Sequence, residues 1–459
     1  MSNINDMTVG SPMRGIVKFA VPLVCGYILQ QMYLIIDAAI VGRFIGVGAL
    51  AAVGASSSVM FLIMGFCNGS CAGFAIPVAQ EFGAKDYSKM RAYVSNALRI
   101  SAVIAVVVTA TTSILCTRIL HMVNTPADIF DDAWTFLILN FLAIPFTISY
   151  NILSGFIRAL GDSKEPFYFL IAASLLNILL DFAMIIGLGM GVEGAGLATM
   201  TSQAFASVLC WQYIRKKMRI LIPQGKERAY DDRKIGRLLN SGIPMGLQFS
   251  ITAIGIIMLQ SANNALGTLY VASFTASMRV KYLFTCVFEN IGVAMATYCG
   301  QNIGARKLFR VRQGVTSATK IMLVYSAISI AVLFVFADDM MLLFVDSGEK
   351  MIIDNAALYM RISSYFFPVL GLLCIFRYSL QGLGFSNLSM LSGVMEMIAR
   401  CGVSLWLVPV FHFIGVCYGD PLAWIAADIF LVPALIIIYK RLGRRLANQP
   451  SPAVSQDMG

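Results

Sequence analysis

The chain reads as long apolar runs separated by short polar stretches, about six before the hydrophilic segment Arg215 to Arg237 and about six after it. Each run reaches about 20 residues, the length a helix needs to cross roughly 30 Å of hydrocarbon. Strands crossing a bilayer would alternate polar and apolar positions over segments of about ten residues, and these runs are continuous. The pattern predicts an all-α membrane protein of twelve transmembrane helices. They fall at about 16–40, 49–79, 93–116, 134–157, 166–188 and 195–214, then at about 239–263, 269–298, 315–337, 356–381, 387–411 and 421–440. The first run is longer than the apolar core of a secretory signal and contains Gln30, Gln31 and Asp37, so it is read as a spanning helix rather than a cleaved leader.

The two sets of six are related. Ala79-Gln80-Glu81-Phe82-Gly83-Ala84-Lys85 closes the second run, and Gly300-Gln301-Asn302-Ile303-Gly304-Ala305-Arg306 closes the eighth, 221 positions later. Nearly the same offset relates Val21-Pro22 to Ile243-Pro244 and Arg158-Ala159-Leu160-Gly161 to Gln381-Gly382-Leu383-Gly384. Duplicated membrane bundles are typical of secondary transporters, which move one half against the other around a site near the midplane. The expected organisation is an N-terminal six-helix lobe over 1–214, an inter-lobe loop over 215–238, a C-terminal six-helix lobe over 239–446 and a disordered tail over 447–459.

Composition agrees with the pattern: 58% of residues are hydrophobic and 13% charged, too few charges to surround one aqueous core. The charge of +10 is distributed by side. Lys85, Lys89, Arg91, Arg158, Lys164, the cluster from Arg215 to Arg237, Arg306, Lys307, Arg310, Arg312, Lys440, Arg441, Arg444 and Arg445 fall at one end of the helices. The other end holds mainly Arg43, Arg118, Lys350 and Arg361 beside acids such as Asp128, Asp131, Asp132, Asp338 and Asp339. By the positive-inside rule the chain is a multi-pass plasma or inner membrane protein with both termini cytoplasmic. The basic loops are expected to meet anionic lipid headgroups, not nucleic acid. Ten cysteines are scattered without a Cys-x-x-Cys pair, and His121 and His412 are the only histidines, so neither a disulfide framework nor a transition-metal site is signalled. Without a Ser/His, paired-acid or metal constellation typical of an intramembrane enzyme, no catalytic residue is assigned.

Ionisable residues at membrane depth cost about 2.5 to 3.5 kcal/mol each at a helix centre and are rarely idle. Asp37 shares a face of the first helix with Gln30 and Tyr33 by spacings of three and four. The competing reading makes Asp37 an end-of-helix carboxylate in headgroup water. In the fifth helix Asn177 and Asp181 lie four apart and so stack on one face. A carboxylate one turn from an amide carbonyl suits a hard monovalent cation, and also suits a held proton. The sixth helix adds Thr199 and Thr201. The second half departs from this arrangement, carrying Arg279, Lys281, Glu289, Arg377 and the pair Glu396/Arg400, whose spacing of four fits an intrahelical ion pair with a structural or gating role. Asp428, Arg279 and Lys281 receive no role from the sequence.

These features together resemble the multidrug and toxic compound extrusion (MATE) transporters: the six-plus-six repeat, Pro22 ahead of Asp37, the Gln80/Gly83-Ala84 and Gln301/Gly304-Ala305 signatures, Gly242-Ile243-Pro244, and Gln381-Gly382-Leu383-Gly384. The resemblance covers nearly the whole chain and implies two six-helix lobes in a V. It implies export of amphipathic, often cationic organic compounds, coupled by antiport to entry of Na+ or H+, with no other cofactor. It further implies a coupling-cation site of Asp37, Asn177, Asp181 and Thr199, possible Na+ ligands, and a bend of the first helix near Pro22. Some branches carry an acid in the seventh helix where this chain has Thr252, so coupling through a C-terminal-lobe carboxylate is not expected. Gln30 and Tyr33, with methionine and phenylalanine side chains, are expected to line the substrate cavity. The chain is taken to act as a monomer. The alternative is a lipid-linked oligosaccharide flippase of the same superfamily, which would use a strongly cationic cavity; Arg279, Lys281, Arg377 and Arg400 keep it open.

Overall fold

A computed structural model describes residues 6–448 except Asn124. The expected tail begins at Ala447, the last helical residue, and lies from 449 onward outside the described residues. The architecture is all-α, with no strand among the described residues. In chain order the spans are α1 (Pro12–Ile45), α2 (Val47–Gly83), α3 (Tyr87–Met122), α4 (Ala127–Leu142 with Ile144–Ala159), α5 (Lys164–Gly187), α6 (Val192–Lys217), α7 (Asp232–Asn264), α8 (Thr268–Gly304), α9 (Leu308–Met341), α10 (Lys350–Tyr365 with Phe367–Gly382), α11 (Ser386–Phe411) and α12 (Phe413–Ala447). Eleven of these, counting the two bent pairs as one span each, are long and apolar enough to cross a membrane. The twelfth, α6, is diluted by Glu193, Gln203, Gln212 and its terminal Arg215-Lys216-Lys217.

The helices outrun their apolar cores. α2 and α8 each have 37 residues, or about 55 Å at 1.5 Å per residue, well beyond a hydrocarbon slab. Two other spans begin on polar caps: Asp86 accepts from the Lys89 amide at the start of α3, and Asp231 from the amides of Arg233 and Lys234 at the start of α7. Two spans are broken rather than straight, α4 by 41° and α10 by 54°. Each break lies just before a proline in the first turn of the following piece, Pro145 and Pro368, where the ring and missing N–H stop the preceding helix. Both breaks fall in the fourth helix of a half, so the repeat extends to backbone defects. Wide π-type turns are repeated too, over Phe182–Gly187 in α5 and Val403–Leu407 in α11.

One buried core collects Phe74, Met90, Leu137, Phe156 and Leu238; a second collects Phe288, Tyr298, Tyr359, Phe367 and Trp424. Ile16 and Phe19 from the start of α1 belong to the second core, so α1 packs on α5 of its own half and on α8 and α9 of the other. The halves meet most extensively where α2 crosses α7. A Cβ on Gly69 would come within 2.7 Å of the Met245 carbonyl and 2.9 Å of the Gly246 Cα, so the two backbones are in direct contact, as small residues permit in membrane bundles. The outer faces are apolar: Ile114, Ile429 and Val106 expose 80%, 71% and 67% of their surface, as side chains bathed in lipid tails do.

At the end that bears both termini, the halves are bolted by two related glutamines. Gln80 on α2 donates to the Gly382 carbonyl on α10 at 2.8 Å and accepts from Arg237 on α7. Gln301 on α8 donates to the Ala159 carbonyl on α4 at 2.8 Å and accepts from the Met7 amide at 2.9 Å. The stretch expected as an inter-lobe loop is partly helical: Arg215 to Lys217 complete α6 and Asp232 to Arg237 begin α7. What remains is strapped to α3 by the two-bonded Arg91–Glu227 pair at 2.6 Å and by Asn96, which donates to the Ala229 carbonyl and accepts from the Asp231 amide.

Candidate functional site

Three helices of the first half supply the acidic site. α1 carries Gln30, Tyr33 and Asp37 in successive turns; Tyr33 is within hydrogen-bonding reach of Gln30 and has Asp37 and Asp181 in its surroundings. Asp37 and Asp181, on α1 and α5, face each other within hydrogen-bonding reach. Asn177 stacks one turn before Asp181; the two are 3% and 0% exposed. No donor reaches Oδ1 of Asp37, Oδ1 of Asn177 or either carboxylate oxygen of Asp181. Immediately after Asp181 the helix widens into the turn Phe182–Gly187, a form of local irregularity that often marks functional sites. Thr199 stands half-buried on α6, which packs against α5, and makes no hydrogen bond to either acid.

Two facing carboxylates, three of whose oxygens are buried without a donor, repel each other unless a positive species lies between them. A shared proton or a small cation would meet that need. The unpaired acceptor set (two carboxylates and an amide oxygen) is the all-oxygen chemistry that a hard cation takes.

Toward the terminus-bearing end from these acids lies a cavity of about 210 Å³. Its lining is rich in amides and hydroxyls: Gln30, Asn68, Thr147, Tyr150, Asn151 and Gln203, with Asn290 from α8. Gln30 is one of its lining residues. Tyr33 is not in the lining, and neither is any methionine; Phe167 is. Pro22 lines the cavity floor, and α1 runs through it as one continuous helix. Arg158, counted in the sequence among the loop cations, sits in the last turn of α4 and lines the cavity.

The second half holds a buried ionic chain. Glu396 accepts from Arg377 on α10 and from Arg400 one turn further along α11 at 3.2 Å. Arg400 continues to Asp420 at 3.0 Å, and Asp420 also accepts from Lys281 on α8 and from the Tyr359 hydroxyl at 2.8 Å. Lys281, Arg377 and Arg400 are thus consumed by Glu396 and Asp420, and Arg279 is exposed. The cations that kept a cationic-cavity flippase open do not build such a cavity. Asp428, with no partner in sequence, is buried with both oxygens free of hydrogen bonds, and Arg377 is among the charges around it. Sequence reasoning passed over Asp420, although Gly419-Asp420-Pro421 sets an acid at the head of the last apolar run; it also missed Gln203, whose Oε1 is buried without a donor.

The MatE family profile matches residues 22–183 and 243–406, one match to each half of the repeat. A probable multidrug resistance protein, YoeA of Bacillus subtilis, is 27% identical over 359 residues, covering 77% of this chain and 78% of its own length. The multidrug export protein MepA of Staphylococcus aureus is 21% identical over 426 residues, 93% of each chain. Among solved structures, the outward-facing conformation of a multidrug resistance MATE family transporter of the MOP superfamily superimposes with a TM-score of 0.89 at 21% identity, over 96% of this chain and 99% of that one. With both repeats matched by the family profile and the whole bundle shared, the chain belongs to the MATE family of multidrug efflux transporters.

Proposed function

We propose that this protein is a secondary antiporter that exports amphipathic organic compounds, cationic ones among them, in exchange for Na+ or H+ by alternating access. The observation that carries the reading is the acid pair: Asp37 and Asp181 face each other at membrane depth, without a donor, beside the free Asn177 oxygen. A cationic substrate and a coupling ion compete for the same negative charge, which is the minimal requirement for exchange. Thr199 completes the site as a further oxygen when α6 moves toward α5, and Gln30 and Tyr33 connect the acids to the cavity. The terminus-bearing end, where the loop cations cluster, faces the cytoplasm of a plasma or inner membrane, and the protein works as a monomer among its lipids.

The test is export of a fluorescent organic cation from proteoliposomes under separately imposed Na+ and H+ gradients. One gradient is expected to drive export, identifying the ion, and Asp37→Asn to abolish the drive. Export that ignores both gradients, or that survives unchanged in both Asp37→Asn and Asp181→Asn, would defeat the antiport assignment.

A further inference from the structure

Ahead of α1 the segment 6–11 belongs to no helix, yet it is docked into the second half. The Met7 side chain is 2% exposed and belongs to the second core. The Met7 carbonyl accepts from Asn302 at 3.2 Å and from Arg310 at 3.3 Å, the Thr8 carbonyl from Lys307 at 3.1 Å, and the Gly10 carbonyl from Arg310 at 3.0 Å. Asp6 accepts from the Thr8 amide at 2.8 Å, folding the segment on itself, and Gly10, with φ of 74°, turns the chain into α1. Lys307 and Arg310, read from the sequence as loop cations, are thus spent on backbone carbonyls; neither forms an ion pair among the described residues.

The docked segment bears on Gln301. That side chain is fully buried; its Oε1 accepts from the Met7 amide at 2.9 Å and its Nε2 donates to the Ala159 carbonyl of α4 at 2.8 Å. An N–H only donates and a carbonyl only accepts, so these two partners leave the Gln301 amide a single orientation. Without Met7, Oε1 is a buried acceptor lacking a donor, a larger penalty than the bond itself contributed, and nothing makes the amide present Nε2 rather than Oε1 to Ala159. Docking of the segment and the bond across the halves therefore stabilise each other. The related bolt is built differently: Gln80 accepts from Arg237, a side chain of α7 that also donates to Tyr93 and Glu81. Freeing Gln80 requires a residue within a helix to move, whereas freeing Gln301 requires only that a segment outside the helices peel away, a local opening of low cost.

We infer that residues 6–10 are a latch: they set the Gln301 amide for its bond to Ala159, hold the terminus-bearing end closed, and by their release free that end to open. Met7 is a positioning residue that acts through Gln301. The latch rests on the alternating access proposed above.

Opening is read as the rate at which an impermeant maleimide, added from the terminus side, labels Thr147→Cys in the cavity wall of the full chain on a cysteine-free background. Met7→Pro removes the donating N–H, and Arg310→Gln loosens the grip on the Met7 and Gly10 carbonyls. Each is expected to raise the rate on the order of fivefold, with faster amide exchange across 8–11 showing that the segment has left. Arg233→Gln, which changes an exposed cation at the start of α7 outside these bonds, should leave the rate as it was. Gln301→Ala should label as fast as Met7→Pro, and the double variant no faster than either, because both substitutions break one linked contact. A segment released in Met7→Pro and Arg310→Gln while a labelled parent and its variants keep one rate overturns the latch alone. A double variant whose two effects multiply also overturns it, since the segment would then act by a route other than Gln301. A thiol that reacts in unfolded protein but stays unreactive from the terminus side in the parent and every variant would mean that this end does not open, and alternating access falls together with the latch.

Discussion

Asp37, half-buried, and Asp420, buried, are both carboxylates in spanning helices, and their surroundings give them opposite consequences on mutation. Asp420 neutralises Lys281 and Arg400 and accepts from Tyr359, so Asp420→Asn strands the buried Lys281 and leaves Arg400 to share Glu396 with Arg377. Breaking such a pair costs about 3–5 kcal/mol, and the variant is expected to unfold at distinctly lower temperature or denaturant in detergent. The double substitution Lys281→Met/Asp420→Leu removes both charges, leaves Arg400 with Glu396, and should recover most of that loss. Asp37→Asn removes one of two facing acids and introduces an amide that can donate to Asp181, so its unfolding midpoint should equal or exceed that of the native protein while coupled transport fails. The same contrast explains what a sequence discloses at this scale. Asp37, Asn177 and Asp181 stood out because acids within apolar runs are rare and their spacing puts them on helix faces. Asp420 and Arg158 lie at helix ends, where charge is ordinary, and only the packing of α4, α8, α11 and α12 reveals them as buried or cavity-lining.

Among the elements, the ends of α2 and α8 hold the terminus-bearing face shut. Lys85 and Arg306, one residue past each repeated Gly-Ala step, both adopt left-handed backbone with φ of 59° and 58°, so the chain turns sharply there and brings Gly83 against Gln301 and Gly304 against Gln80. A Cβ on Gly83 would overlap the Gln301 carbonyl, and one on Gly304 the Gln80 carbonyl. Neither backbone can give way without parting the halves. Gly83→Ala and Gly304→Ala are therefore expected to favour the conformer open at this end. With Thr147→Cys as a cavity reporter on a cysteine-free background, an impermeant maleimide added from the terminus side should label the alanine variants several-fold faster than the parent. Equal labelling would show that the glycines are not part of a gate. Helix count and repeat were readable because apolar length and recurring Gln/Gly-Ala motifs survive in sequence. Helix ends were set too short, since capped polar turns lie outside the apolar signal. The breaks in α4 and α10 were missed although Pro145 and Pro368 mark them, because an unbroken apolar run hides a proline that redirects the helix.

Across the whole molecule, charge is sorted so that pH acts at two separate places. On the terminus-bearing face the hydrogen-bonded Arg91 guanidinium holds the Glu227 carboxyl down to about 2, from an ordinary 4.5. A carboxyl with a depressed folded value contributes stability that is complete above its unfolded value and is lost as pH falls through the folded one. The strap is accordingly intact from pH 5 to 8 and loosens only between about 4.5 and about 2. Glu227 binds no proton in folded or unfolded protein at physiological pH, so it contributes no slope there, and any change in transport between pH 5 and 8 originates in other groups. Glu227→Gln is expected to speed amide exchange across 219–231 by on the order of tenfold, because Arg91 loses its charged partner, yet to leave the shape of the transport pH profile unaltered. Asp37→Asn should do the reverse, flattening the profile without touching exchange in the strap. A profile that shifts with Glu227→Gln would mean that the strap, and not the acid pair alone, senses protons during the transport cycle.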